Sequence, residues 1–162
     1  MSAFDTVLAR LLMALVAVEW FADGSQWYYH EAKNQYRDTA KVPAGYTRAQ
    51  LERGFNTTGL FRYSRHPNFA AEQGIWLVLY QWGCLGSETF VNWTVGGVVG
   101  YLLVFAGSTP ITEMISASKY PEYKLYQERV GKFVPKLWGK GWDEADMEKL
   151  GSQGVKEAGR KK

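Results

Sequence analysis

The feature that most constrains this chain is an uncharged run of 22 residues, from 90 to 111. At about 1.5 Å per residue, a helix of this length crosses a hydrocarbon core of about 30 Å. Segment 69–86 has only Glu72 as a charge, and segment 6–22 has two charges. Glycines recur in 90–111, as they do in membrane helices, where small residues allow close packing. We therefore expect an all-α, membrane-embedded helical bundle with about three spans, at 6–22, 69–86 and 90–111.

The distribution of lysine and arginine residues predicts an orientation. Apart from one arginine, they fall in two blocks, 33–65 and 119–162. Three spans place both blocks on the same side of the membrane, as the positive-inside rule requires of cytosolic loops. We expect one membrane domain over 1–138, with cytosolic basic loops and short cytosolic amphipathic helices, and a polar, disordered cytosolic tail over 139–162. A soluble helical bundle is the alternative.

Local signals refine the predicted helices. Gly24–Ser25 is expected to loosen or end the first helix, and 26–37 to form a helix on the membrane surface. Segment 47–53 reads as a short helix capped by its threonine. Pro110 is expected to kink or end the third span. Segment 120–129 is predicted to be an amphipathic helix.

Segment 64–72 carries the candidate site. Arg65 and His66 stand directly before a proline, which favours the first position of a helix. The basic pair is therefore expected at a helix N-terminus, where free N–H groups and the helix dipole attract anions. Asn68 and Glu72 follow on one face of that helix. This arrangement suits a phosphate-bearing or otherwise charged ligand at a membrane surface.

Acidic residues near the predicted spans form a second candidate feature. Because intramembrane acids are costly, Glu19, Asp23, Glu72 and Glu113 are expected to line one polar pocket on the cytosolic side. The alternative is that all but Glu72 are interface residues whose side chains reach water. No metal site is expected, because the chain has two histidines and one cysteine in an apolar context.

Three blocks of the sequence, at 19–33, 59–72 and 118–135, resemble the C-terminal signature of the steroid 5α-reductase superfamily. The resemblance is greatest for its fungal and bacterial branch. The blocks include Glu19-Trp20-Phe21-Ala22-Asp23 with Gln26, Trp27 and Lys33, then Gly59 to Phe69 with Glu72, then Ser118 to Val130 with Phe133 and Pro135. Members are multispanning enzymes, often of the endoplasmic reticulum, that reduce a carbon–carbon double bond in a sterol, steroid or polyprenol with NADPH.

The resemblance also implies roles for individual residues. Asn68 and Glu72 would bind the nicotinamide half of NADPH, and Glu19 and Asp23 would contact the nucleotide. The phosphates would be bound by Lys33, Arg62, Arg65 and His66, and the cofactor would be covered by Lys119, Tyr120 and Tyr123. Candidates for a catalytic role are Glu72, Tyr120 and Tyr123.

Two other functions remain open at this point. Isoprenylcysteine and phospholipid methyltransferases share the 65–72 block, but they bind S-adenosylmethionine, which has no phosphate. Lys33 and the Glu19/Asp23 motif favour the reductase. Reductase relatives carry further helices before the block at Glu19, so the chain is expected to be a C-terminal part, or to need a partner that supplies them, or to be non-catalytic. The expected partners are the bilayer and a lipid or steroid substrate, with no nucleic acid.

Overall fold

The computed structural model describes residues 2–136, 139 and 141–145, and every regular element in them is helical. The elements are α1 (Ala3–Thr39), α2 (Arg48–Arg53), a 3-10 helix (Gly59–Arg62), α3 (Pro67–Gly86), α4 (Val95–Lys119) and α5 (Tyr123–Arg129). The predicted all-α class is thereby confirmed. The longest interface joins α1 to α3, and α4 packs on α3.

Helix α1 is one continuous helix of 37 residues, about 55 Å long at 1.5 Å per residue. The first helix therefore does not end at Gly24–Ser25, and that part of the prediction is wrong. A glycine inside a helix costs only about 1 kcal/mol relative to alanine, and tertiary contacts oppose a break here. The hydroxyl of Ser25 accepts a hydrogen bond from Nδ2 of Asn56 at 3.0 Å, and α3 packs along α1.

Helices α2 and α3 begin where the sequence predicts. Thr47 caps α2, since its side chain accepts from the backbone N–H of Gln50 at 3.2 Å. Pro67 opens α3 and His66 occupies the cap position. The residues before α3 are fixed by the chain after α5: the backbone N–H of Arg65 donates to the carbonyl of Gly131 at 2.9 Å. This pairing holds the Arg65–His66 segment against 131–133.

Helix α4 differs from its prediction at both ends. It begins at Val95 rather than at residue 90, and it continues through Pro110 to Lys119. Of the two expected effects of Pro110, an end of the helix is therefore wrong, and a kink stays a prediction. The fixed φ of proline is compatible with a helix, and the cost of about 3 kcal/mol comes from one lost backbone hydrogen bond and the clash of the ring with the preceding turn. Helix α5 begins at Tyr123 rather than at residue 120, because Tyr120 follows the end of α4 and has an extended backbone.

One helix in the described part of the chain, Val95–Lys119, is long and apolar enough to cross a membrane. Only 11% of its apolar window is buried, whereas the core helix of a soluble protein is mostly buried. Neither α1 nor α3 meets the same criterion of length and composition. The spans at 6–22 and 69–86 therefore stay predictions.

The main buried cluster lies among the loop after α2, helix α5 and the segment that follows it. Its members are Phe55, Tyr123, Tyr126, Val130 and Trp142. Trp142 is only 1% exposed, although it falls in the predicted disordered tail 139–162. The prediction is wrong for 141–145, because the aromatic ring finds an apolar site among distant residues. The remainder of the predicted tail, 146–162, lies outside the described residues.

Candidate functional site

Arg65 and Glu113 form a buried ion pair between the start of α3 and the C-terminal part of α4. Nε of Arg65 lies 2.7 Å from Oε1 of Glu113, and Nη2 donates to Oε2 at 3.2 Å. Nη1 donates to the backbone carbonyls of Gln127, at 3.0 Å, and Val130. Both side chains are less than a tenth exposed. All three guanidinium nitrogens therefore have partners within the protein.

His66 joins the same network. Its Nε2 lies 2.9 Å from Oε1 of Glu113, and its ring stacks on Phe69 with 5.2 Å between ring centroids. Burial lowers the pKa of His66 more than the neighbouring carboxylate of Glu113 raises it. The imidazole is therefore neutral near pH 7, and it serves better as a positioned hydrogen-bonding group than as a cation for phosphate.

A second polar cluster joins α1 to α3. Nδ2 of Asn68 donates to Oδ1 of Asp23 at 2.9 Å, and the carboxyl groups of Glu19 and Glu72 lie close to each other. Tyr101, from α4, donates its hydroxyl to Glu72 at 2.5 Å. Three of the four acids predicted to share a pocket therefore lie together. The fourth, Glu113, does not join them, because it neutralises Arg65.

A pair of lysines forms the cationic part of the site. Nζ of Lys33 lies 5.8 Å from the ring centroid of Tyr120, and Nζ of Lys119 lies 5.4 Å from it. Nζ of Lys33 also donates to the backbone carbonyl of Gly54 at 2.9 Å. Neither lysine pairs with a carboxylate among the described residues. The two ammonium groups therefore have donors free for an anion.

A cavity of about 210 Å³ is bounded by α1, the loop after α2, the 3-10 helix, and helices α3 to α5. Its lining includes Gln26, Asn68 and Tyr123, together with the Arg65–His66 pair. Oε1 of Gln26 is shielded from solvent and has no hydrogen-bond partner in the described part of the chain. A buried, unpaired acceptor is costly, so this atom marks a place where a ligand donor would be satisfied.

The structure separates the three catalytic candidates. Tyr123 lines the cavity, and burial raises its pKa to about 12. Tyr120 packs against Gly54 beside the lysines, and Glu72 lies in the α1–α3 cluster. Tyr123 is thus the candidate that adjoins the cavity, and its raised pKa keeps its hydroxyl protonated at neutral pH.

Sequence reasoning missed the anchoring of segment 141–145. Glu144 accepts two hydrogen bonds from Arg53, at 2.8 and 2.6 Å, and Asp143 lies 3.6 Å from Nη2 of Arg62. Burial would raise the pKa of Glu144, but the charge and hydrogen bonds of Arg53 hold it below the usual range. The only signal in the sequence was a tryptophan amid polar residues. Arg62, predicted to bind phosphate, thus lies beside this segment.

No group of three metal-ligating side chains occurs in the residues that the structure describes. The donors present are instead lysine ammonium groups, amides and carboxyls, with one unpaired acceptor in a cavity. This set fits parts of a phosphorylated nucleotide: cations for phosphate at one end, and hydrogen-bonding groups for polar substituents at the other.

Comparisons with known proteins identify relatives without an assigned activity. A family model described as "Protein of unknown function (DUF1295)" matches residues 1–130. A Schizosaccharomyces pombe protein, "Uncharacterized protein C594.04c", is 48% identical to the chain over 146 residues. This alignment covers 89% of the chain but only 42% of the length of the S. pombe protein. No solved structure matches the chain.

Proposed function

The chain belongs to the DUF1295 family, and we propose that it is the cofactor-binding part of a membrane reductase. This enzyme, a member of the steroid 5α-reductase superfamily, uses NADPH to reduce a carbon–carbon double bond in a steroid, sterol or other lipid. The observation that carries the proposal is the pair of lysines at Tyr120, Lys33 and Lys119, neither of which pairs with a carboxylate in the part of the chain that the structure describes. A phosphorylated cofactor requires such cations, whereas S-adenosylmethionine has no phosphate to bind.

Two ends of one face of α1 would bind different parts of the cofactor. Glu19, Asp23 and Lys33 share this face by their helical spacing. We assign the phosphates to Lys33 and Lys119, and the nicotinamide half to the cluster of Asp23 and Asn68. When bound, NADPH supplies the hydride for the reduction.

The remaining residues of the site position these groups. The Arg65–Glu113 pair fixes the start of α3, and with it the orientation of His66 and Asn68. We therefore revise the role of Arg65 from a phosphate ligand to a positioning residue. Tyr123, buried and protonated at neutral pH, is available as a hydrogen-bond donor at the cavity wall.

We also propose that the protein lies in a membrane, with its basic loops and its C-terminus in the cytosol. The exposed apolar side chains of α1, α3 and α4 support three spans, because soluble proteins rarely expose such surfaces. Examples are Phe4 and Trp20 on α1, Leu85 on α3, and Leu103 and Ile111 on α4. We place the enzyme in the endoplasmic reticulum by its resemblance to that superfamily. The lipid substrate would be bound jointly with further membrane helices, which a longer protein or a partner supplies.

An S-adenosylmethionine-dependent methyltransferase is the second candidate. The 65–72 block supports it, since methyltransferases of this kind share that block. The use of Arg65 and His66 in an internal network removes the need for a phosphate at this position. The two candidates therefore differ in whether binding depends on the lysine pair.

Equilibrium binding of NADPH to the detergent-purified chain, with S-adenosylmethionine in parallel, tests the proposal. Lys33→Ala and Lys119→Ala are each expected to weaken NADPH binding about tenfold or more, because a charge-assisted hydrogen bond contributes about 1.5–3 kcal/mol. Lys41→Ala is the matched control, as Lys41 is an exposed lysine in the same basic block. It should bind NADPH as the wild type does.

Each alternative gives a different result. Saturable binding of S-adenosylmethionine that is indifferent to both lysine variants, without binding of NADPH, would assign the chain to the methyltransferases. Binding of neither compound would reject an autonomous cofactor site in this chain. Thermal unfolding of each variant, compared with the wild type, shows that a loss of affinity is not a loss of fold.

A further inference from the structure

The side chain of Gln26 has an unusual position in the candidate site. It lines the cavity of about 210 Å³, and its Oε1 has no hydrogen-bond partner in the described residues. An unsatisfied buried acceptor costs about 1–3 kcal/mol. Such a group persists where it serves a function or awaits a donor that is not part of the chain.

His30 determines which atom of the amide is left without a partner. Nε2 of Gln26 lies 3.2 Å from Nε2 of His30. Burial, with the nearby charges of Lys33 and Lys119, lowers the pKa of His30. With the amide in this orientation, the tautomer of the neutral imidazole that is protonated at Nδ1 accepts the amide N–H at its Nε2. The amide oxygen is then the atom left to accept a donor from a ligand.

The position of Gln26 along α1 identifies the part of the cofactor it would meet. Asp23, Gln26, His30 and Lys33 follow one another at spacings of three and four residues, so they form one stripe. Along the helix axis, Gln26 lies about 4.5 Å beyond Asp23 and about 10 Å before Lys33. Given the proposed function, the nicotinamide lies at Asp23 and the phosphates at Lys33. The ribose that joins them would adjoin Gln26.

We propose that Oε1 of Gln26 accepts a hydrogen bond from a hydroxyl of the nicotinamide ribose, and that Gln26 thereby sets the register of the cofactor along α1. This inference rests on the proposed function. It gives a role to a residue that neither the phosphate-binding nor the nicotinamide-binding assignment includes.

Competition binding with three ligands tests the assignment. The ligands are NADPH, the reduced 3-acetylpyridine analogue of NADPH, and 2′,5′-ADP. The acetylpyridine analogue lacks the amide N–H of nicotinamide but keeps both riboses, and 2′,5′-ADP lacks the nicotinamide nucleoside. Gln26→Leu removes the acceptor at similar volume. Gln35→Leu, an exposed glutamine on the same helix, is the control.

The expected result follows from the net contribution of one hydrogen bond, about 0.5–1.5 kcal/mol. Gln26→Leu should weaken binding of NADPH and of the acetylpyridine analogue equally, by about 2- to 10-fold. The affinity for 2′,5′-ADP should not change. Gln35→Leu should leave all three affinities at their wild-type values.

In a chain that binds NADPH, three results would overturn the inference, each in a distinct way. A loss confined to NADPH would assign the donor to the carboxamide instead of the ribose. A loss that includes 2′,5′-ADP would place the adenosine half at Gln26, and no loss at all would leave Gln26 outside the site. If the wild-type chain binds none of the three ligands, the proposed function fails, and the inference fails with it.

Discussion

Replacing Arg65 by alanine tests whether this residue stabilises the fold or binds a ligand. The guanidinium is bonded to Glu113 and to two backbone carbonyls, and its side chain is 9% exposed. Removing one partner of a buried ion pair costs about 3–5 kcal/mol, because the other charge stays buried without compensation. We therefore expect Arg65→Ala to lower the free energy of unfolding by about 3–5 kcal/mol.

The partner residue provides an internal check on this magnitude. Glu113→Gln keeps the shape of the side chain but leaves Arg65 as an uncompensated buried charge, so a loss of similar size is expected. In the variant with both substitutions, neither charge remains buried. Its loss should therefore be clearly smaller than the sum of the two single losses, which a double-mutant cycle measures.

Unfolding in detergent, followed by far-UV circular dichroism, supplies these free energies. Arg48→Ala is the control: its pair with Glu52 is 2.7 Å long but largely exposed, so the expected loss is within about 1 kcal/mol. If Arg65→Ala unfolds like the wild type yet loses affinity for NADPH, the reasoning is refuted. Arg65 would then be the phosphate ligand that the sequence resemblance implies.

Three further predictions concern the loop after α2 and the segment that packs on it. Trp142→Ala should lower the free energy of unfolding by about 3–5 kcal/mol, measured by thermal or denaturant unfolding, because it empties a fully buried site. Gly54→Ala should cost at least about 1–2 kcal/mol, since φ is +88° there and a Cβ would lie 2.2 Å from Cε1 of Tyr120; it should also weaken NADPH binding by displacing that ring. Arg53 lowers the pKa of Glu144 in the folded protein below the unfolded value of 4.5. The ionised Glu144 therefore stabilises the fold above pH 4.5, and this stabilisation is lost as the pH falls through the folded pKa. Unfolding from about pH 5 to about pH 3 should show a smaller acid-induced loss in Glu144→Gln than in the wild type.

Local physical chemistry explains the predictions that the structure bears out. The proline before Asn68 starts α3, and Thr47 caps α2, because both effects depend on residues within one helical turn. The grouping of Glu19, Asp23 and Glu72 was also predicted. These acids lie in or near the predicted spans, where polar groups need partners and few such groups exist in this sequence.

The predictions that failed depend on tertiary packing energies, which a local sequence pattern does not reveal. Gly24–Ser25 and Pro110 are signals for helix breaks, yet α1 and α4 continue through them. Their cost is of the order of 1–3 kcal/mol, and packing elsewhere along a long helix exceeds it. Trp142 was assigned to a polar tail by the composition around it, which says nothing of a distant apolar cluster.

The sequence by itself determined the helical class, the start of α3 and the stripe of polar residues along α1, because spacing within one helix is a local property. Only the tertiary structure decided which charges neutralise one another. Arg65 could face a ligand or Glu113, and the outcome depends on burial and on a contact across 48 residues. The same holds for Lys33 and Lys119, which are distant in sequence and meet at Tyr120. Charge pairing over such distances follows from how the helices pack, since desolvation makes an unpaired buried charge too costly to keep.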